Sequence, residues 1–159
     1  MGIIVSLCVG YVLTSPLSST ALCIMLNLSG IAAGAAAVGC CVQMVGFAAI
    51  SYRDCKMGGV MAMGLGSSMF QMPNIIKKHW ILLPITLTIV ILAPIGTCLF
   101  KMVNTPAGAG MSTCGFVGQI FTFTEMGVNV VTVIQVALLH FILPVVLCLF
   151  FDWILRKKG

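Results

Sequence analysis

Charged residues are scarce in this chain. They make up only 7% of its 159 residues, against roughly a quarter in soluble domains. The first of them is Arg53, so residues 1–52 carry no charge at all. A membrane-spanning helix needs about 20 mostly apolar residues, and the mean hydropathy is high at +1.19. The sequence therefore excludes an ordinary soluble domain and predicts an all-α integral membrane protein with about four transmembrane helices.

The few basic residues do not form a patch. The net charge is +5, but the positive side chains stand at the ends of apolar segments, which excludes a nucleic-acid partner and is typical of topology signals. They form the groups Arg53 with Lys56, Lys77 with Lys78, and residues 156–158, with Lys101 apart. If these groups mark the cytoplasmic face, four spans place both termini in the cytoplasm and Lys101 outside.

Motifs for catalysis and metal binding are missing. The eight cysteines include no CxxC pair, and His79 and His140 are not spaced with cysteines as zinc ligands would be. Catalytic triads, phosphate-binding loops and dinucleotide fingerprints are also absent. We expect no metal, no cofactor, no disulfide framework and no catalytic residue, with the cysteines serving as small apolar side chains.

Four apolar stretches form the predicted single transmembrane domain, residues 1–159. The first, Ile3 to Leu13, is short and ends in a break at Pro16. The second, residues 31–50, is rich in small residues, and Gly30 and Gly34 form a GxxxG spacing at its start. Both features predict a central, closely packed helix. The third, 80–100, and the fourth, 128–151, are clear spans with prolines expected to kink them; these are Pro84, Pro94 and Pro144.

Two glycine-rich segments interrupt this pattern, residues 57–76 and 104–127. Basic residues flank the first on both sides, so it is predicted to enter and leave by the cytoplasmic face, with an amphipathic surface helix as the alternative. The second must then enter and leave by the outer face. Interrupted half-spans that dip from opposite faces are a feature of transporter binding sites.

The polar side chains of these segments are the candidate solute-binding residues. Glu125 is the single acid between Asp54 and Asp152. At membrane depth it would carry a proton or accept sugar hydroxyls, and at the surface it would be an ordinary exposed acid. The amides donate and accept hydrogen bonds as a polyhydroxyl solute requires, or they satisfy neighbouring helix ends. The candidates are Glu125, Asn74, Gln71, Gln119, Asn104, Gly108, Gly110 and Gln43. His140 is either a packed histidine or a proton relay with Glu125.

Three stretches carry a resemblance to a known family: GAAAVGCCVQMVGFAAISYRD at 34–54, GLGSSMFQMPNI at 64–75 and NTPAGAGMSTCGFVGQIFTF at 104–123. Together they resemble the EIIC-like membrane proteins of the bacterial phosphotransferase system, in the branch that contains the regulator of perfringolysin production. The resemblance implies a multi-pass protein of the bacterial cytoplasmic membrane that acts as a sugar permease with phosphoryl-carrier proteins as partners.

Members of that branch are about twice as long, so the chain resembles a C-terminal half. It would pair with an N-terminal half or form a homo-oligomer to enclose a path. Two further interpretations stay open beside the permease: a membrane-bound regulator or sensor without transport, and an incomplete fragment.

Overall fold

The computed structural model describes residues 1–66 and 68–158, and at Asp54 and Lys158 only the backbone. Over these residues the chain is helical and has no β-strand, which confirms the all-α prediction. The α-helices are α1 Gly2–Thr14, α2 Ser19–Met25, α3 Gly30–Met61, α4 Met72–Lys77, α5 Leu82–Pro94, α6 Pro106–Met111, α7 Val117–Met126, α8 Val130–Ala137 and α9 Leu143–Lys158. Tighter or wider turns join them: π-helical at Ala62–Gly66, Ile95–Leu99 and Leu138–Ile142, and 3₁₀ at Ser68–Gln71, His79–Ile81 and Cys114–Phe116.

Three stretches of the described chain are long and apolar enough to cross a membrane: Gly30–Arg53, His79–Leu99 and Val130–Lys157. They correspond to three of the four predicted spans. The remaining predicted span, Ile3 to Leu13, is too short to cross a membrane. The 13 residues of α1 extend only about 20 Å at about 1.5 Å per residue, which is less than a hydrocarbon core of about 30 Å.

The first of these stretches, in α3, is the centre of the bundle. Its most apolar window is 89% buried, against 39% and 28% for the other two. Small residues make this possible, since a Cβ atom at Gly34 would overlap the backbone of Met102 and one at Gly39 the backbone of Ser6. The prediction of a central helix packed through its small residues is confirmed.

Helix α1 runs alongside α3 in the same direction and stops halfway. The Ser6 hydroxyl donates to the Ala35 carbonyl at 2.6 Å, and Gln43 Nε2 donates to the Thr14 hydroxyl at 2.8 Å. The predicted break at Pro16 follows, and α2 then leads back to Gly30, where α3 begins. Helices α1 and α2 therefore form a hairpin that reaches only the middle of α3.

The direction of α1 differs from what the prediction of two cytoplasmic termini requires. Gly2 lies beside Thr97 in the π-helical turn that follows α5, whereas Asp152 near the C-terminus pairs with Arg53 at the far end of the Gly30–Arg53 span. Met1 and the described C-terminal residues thus lie at opposite ends of the bundle, not at the same end. The uncharged first 52 positions gave the sequence analysis no signal with which to orient α1.

The first glycine-rich segment folds back along α3. Lys56 has a left-handed backbone (φ 53°) that reverses the chain, and a Cβ at Gly64 would stand 3.5 Å from Ala48 Cβ. The Ser68 hydroxyl then donates to the Leu13 carbonyl at 3.4 Å, after which α4 leads away to Lys77. The His79–Leu99 span that follows is antiparallel to α3, since Gly46 lies near Ile85 and Gly96 near Val38.

The second glycine-rich segment makes a similar excursion from the opposite end. It begins at Asn104, whose amide donates to the Gly30 carbonyl at 3.4 Å, and α6 leads inward to Ser112. Ser112 (φ 53°) reverses the chain, and α7 leads back to Gly127. The segment therefore forms two short helices joined by a turn, and not the plain loop that such a composition would form in water.

The prolines act at helix ends and at π-helical turns. Pro84 lies in the first turn of α5, where its missing amide hydrogen costs nothing, so the kink predicted there is not needed. Pro94 directly precedes the π-helical turn Ile95–Leu99, and Pro144 follows the π-helical turn Leu138–Ile142.

Candidate functional site

The tips of three hairpins converge on the middle of α3. The α1–α2 tip reaches Gln43 through Thr14, and the 104–127 tip reaches Cys41 through Ser112. The tip of 57–76 contacts the other two, because Ser68 bonds the α1 end and the turn Ala62–Gly66 contacts the turn Cys114–Phe116. We call this region the central zone. Its polar members are Thr14, Cys41, Gln43, Ser68, Ser112, Thr113, Gln119 and His140.

One side of the central zone is built by the 104–127 tip. The Ser112 hydroxyl lies 2.7 Å from Cys41 Sγ, and the Thr113 hydroxyl lies 3.3 Å from Met44 Sδ. Both hydroxyl-bearing side chains are almost fully buried. The tip is therefore held against a turn of α3 by polar contacts, midway along the Gly30–Arg53 span.

Gln119 joins this tip to the last span. Its amide lies 3.3 Å from Nδ1 of His140. With the amide turned so that its nitrogen donates to the carbonyls of Ser112 (3.2 Å) and Phe116 (3.3 Å), its oxygen accepts from His140 Nδ1–H. The neutral imidazole then presents a lone pair at Nε2.

Two buried polar atoms of the central zone have no hydrogen-bond partner among the described residues. They are Oε1 of Gln43 and Nε2 of His140, and both residues are 0% exposed. Buried polar groups in native proteins are nearly always paired, so each exception calls for an explanation such as a bound molecule or a water. With the Gln119 amide turned in this way, both of these atoms are acceptors, and both belong to residues that contact a hairpin tip.

Asn104 is a structural residue. Its Nδ2 donates to the Gly118 carbonyl at 3.3 Å and to the Thr122 hydroxyl at 3.1 Å, while its Oδ1 accepts from the Thr105 amide at 2.8 Å. It thereby ties the two helices of the 104–127 hairpin together. Of the two sequence-based interpretations of this amide, the structure favours the one in which it satisfies helix ends.

Gly108 and Gly110, the two glycines among the predicted solute-binding residues, are used for packing. A Cβ at Gly108 would stand 2.6 Å from Phe121 Cβ, and one at Gly110 would stand 2.6 Å from the backbone nitrogen of Thr20. The Ser19 hydroxyl also donates to the Gly110 carbonyl at 2.7 Å. Protein therefore fills the space beside both glycines.

The remaining predicted residues lie away from the central zone. Asn74 is exposed and donates to Gln71 Oε1 at 3.0 Å within one helical turn, which leaves Gln71 buried but locally satisfied. Glu125 is exposed near the end of α7 and has no partner among the described residues. The residue beside His140 is Gln119, so the proposed relay between Glu125 and His140 is not formed.

Several residues of the central zone were not predicted from the sequence. Thr14, Ser68, Ser112 and Thr113 are hydroxyl residues near a proline or a glycine at a chain reversal. That placement is a usable signal, because side-chain hydroxyls satisfy backbone groups where a helix breaks. Cys41 lies within an apolar run with no neighbouring proline or chain reversal, so no such pattern marked it.

No charged side chain that the structure describes lies in the central zone. Asp152 lies at one end of the bundle, where it bonds Arg53 at 3.4 Å and Arg156 at 3.1 Å. The other charged side chains that the structure describes are exposed, and none belongs to the central zone. The arrangement presents neutral donors and acceptors only, which suits hydrogen bonding to an uncharged molecule better than to an ion.

Comparisons with known proteins agree with this architecture. Residues 1–159, the whole chain, match the family model described as Phosphotransferase system, EIIC. A search of curated proteins and a search of solved structures gave no significant match. The chain belongs to the EIIC family, the membrane transport subunits of the phosphotransferase system.

Proposed function

We propose that this chain is a permease-type subunit that holds a small uncharged polar solute, a sugar, in the central zone. The observation that carries the proposal is that two buried acceptors of the central zone, Gln43 Oε1 and His140 Nε2, have no hydrogen-bond partner among the described residues. A solute hydroxyl donating to either atom would supply the missing partner.

The hairpins support a transport role through their directions. In this proposal, segment 57–76 is re-entrant from the cytoplasmic face, where Arg53, Lys56, Lys77 and Lys78 lie, and segment 104–127 is re-entrant from the outer face. Irregular backbone at membrane depth is tolerated where it is buried in protein or lines a cavity. Paired interrupted segments of this kind locate the binding sites of several transporter folds.

The chemistry of the central zone narrows the solute class. Amides, hydroxyls and a neutral imidazole both donate and accept hydrogen bonds, which matches a polyol. A phosphorylated sugar would bring negative charge to a region that offers no positive side chain among the described residues, and burying an unpaired charge is costly. We therefore propose that the unphosphorylated sugar is bound here.

The EIIC family works with phosphoryl-carrier partners. We propose that they approach the basic end of the bundle, which would face the cytoplasm of a bacterium. A second copy, or an N-terminal half of the kind found in the perfringolysin-regulator branch, would complete the enclosure of the path.

Substitution of the central glutamines tests the proposal. The purified protein is screened for thermal stabilisation by glucose, galactose, fructose and mannitol, and the variants Gln43→Leu and Gln119→Leu are then titrated with the stabilising sugar. Loss of one buried hydrogen bond should weaken binding about tenfold. Gln135→Leu, the same change on α8 outside the central zone, should leave the affinity unaltered.

The outcomes separate the functions. If none of the four sugars stabilises the wild type, or if Gln135→Leu weakens binding as much as the other two, the proposed site is wrong. If a sugar binds but is not accumulated by vesicles that carry the partner phosphoryl carriers, the membrane-bound regulator or sensor replaces the permease.

A further inference from the structure

An open groove of about 360 Å³ lies on the side of the bundle, beginning beside the last turn of α1. It is lined by Tyr11, His79, Trp80, Leu82, Leu83 and Thr86. The Tyr11 hydroxyl is hydrogen-bonded to the Thr86 hydroxyl at the upper end. The groove then follows the start of the span down to His79, seven residues or roughly 10 Å of helix.

The groove has the form of a lipid-facing cleft. Its walls are mainly the aliphatic and aromatic side chains of the span, and Trp80 at its lower end is 73% exposed. Tryptophan is enriched at the boundary between hydrocarbon and headgroups. We infer that Trp80 marks headgroup level and that the groove extends from there into the hydrocarbon.

The lower end of the groove carries the positive charge of two exposed lysines. Lys77 and Lys78 immediately precede His79, and both are exposed. Neither forms an ion pair with an acid among the described residues; Asp152 there is paired with Arg53 and Arg156 instead. An anionic group at this end would therefore gain attraction without displacing an existing partner.

We propose that the groove holds an acyl chain of an anionic phospholipid whose headgroup lies against Lys77 and Lys78. The bilayer solvates an acyl chain about as well as the groove does, so the apolar contact alone gives little preference among lipids. The selection comes from the lysines, since basic residues at the membrane surface attract acidic headgroups. This inference is independent of any solute in the central zone.

Native mass spectrometry tests the proposal directly. The full chain is purified with equal amounts of phosphatidylglycerol and phosphatidylcholine that carry the same acyl chains, and the retained lipid is counted. The wild type should prefer phosphatidylglycerol by at least tenfold, as two lysines near the surface allow up to roughly 30-fold. The double variant Lys77→Gln, Lys78→Gln should retain both lipids equally, and Lys101→Gln, at the other end of the bundle, should keep the wild-type preference.

A second pair of variants tests the groove itself. Leu83→Trp fills it and should at least halve the number of lipids retained. Leu87→Trp places the same bulk one turn away, on a side chain that is similarly exposed (43% against 40%) and does not line the groove, and it should change nothing. Equal retention of the two lipids by the wild type, or retention by Leu83→Trp equal to that of Leu87→Trp, overturns the proposal. So does a second copy of the chain that occupies the groove and is displaced by Leu83→Trp.

Discussion

Gly118 is predicted to be indispensable to the tip of the 104–127 hairpin. Its amide closes the turn by donating to the Ser112 carbonyl at 2.7 Å. A Cβ at this position would stand 2.5 Å from the Ser112 carbonyl oxygen and 2.6 Å from its Cα. These are backbone atoms, so no rotation of a side chain can relieve the overlap of Gly118→Ala.

The loss of stability expected for Gly118→Ala depends on how firmly Ser112 is held in place. Ser112 already has a left-handed backbone (φ 53°), and its hydroxyl lies 2.7 Å from Cys41 Sγ of the central helix. Relief therefore requires the tip to move away from α3. Overpacking of this kind costs about 1–3 kcal/mol, and we expect the upper part of that range, about 2–3 kcal/mol, which lowers the melting temperature by about 4–12 °C.

Thermal unfolding read through buried thiols measures this effect. Cys40, Cys41 and Cys148 are 0% exposed, so a thiol-reactive dye reports their release as the protein unfolds. Gly58→Ala is the matched control, because nothing lies within 4 Å of its Cβ and alanine favours a helix over glycine by about 1 kcal/mol. A melting temperature of Gly118→Ala equal to or above that of the wild type would refute the predicted overlap with the Ser112 backbone.

Two further predictions concern hydrogen bonds and ion pairs of the structure, and a third concerns the orientation of the chain in the membrane. Asn104→Leu should lower the free energy of unfolding by about 2–3 kcal/mol, because it leaves buried backbone groups unpaired, whereas Asn74→Leu should change it by less than about 1 kcal/mol; chemical denaturation compares the two. Asp152→Asn should cost about 1 kcal/mol in the same assay, since its two arginine partners are half-exposed and stay solvated. In a cysteine-free background, Lys101→Cys should react with an impermeant maleimide on intact cells and Lys78→Cys only on opened cells; the reverse pattern, or labelling of both from outside, contradicts the proposed orientation.

The sequence predicted those features that depend on composition over many residues. Three spans follow from long apolar runs, and the burial of α3 follows from small residues such as Gly34 and Gly39, which permit backbone contact. The break at Pro16 follows from its missing amide hydrogen. Each of these is a local consequence of residue type, so no knowledge of neighbouring helices was required.

Features that depend on depth or on partners could not be predicted in the same way. Glu125 had two interpretations that differ only in its distance from the membrane surface, and its exposed position at the end of α7 is set by where the 104–127 chain reverses. Gln119 and Gln43 were both candidates, but the sequence could not place His140 beside one and Thr14 beside the other. These pairings arise when separate helices pack, and no periodicity within one helix encodes them.

The early end of α1 accounts for two separate features of the molecule. A helix that continued across the membrane would carry its apolar residues past Gln43 and along α5. Because α1 ends at Thr14 instead, a hydroxyl and a chain reversal stand beside Gln43, and the chain that leads into α5 is left uncovered where the groove opens beside Tyr11. The polar central zone and the lipid-facing groove are thus two consequences of one break at Pro16. A change that extended α1 as a continuous helix should therefore alter both solute binding and lipid retention, although the two sites share no residue.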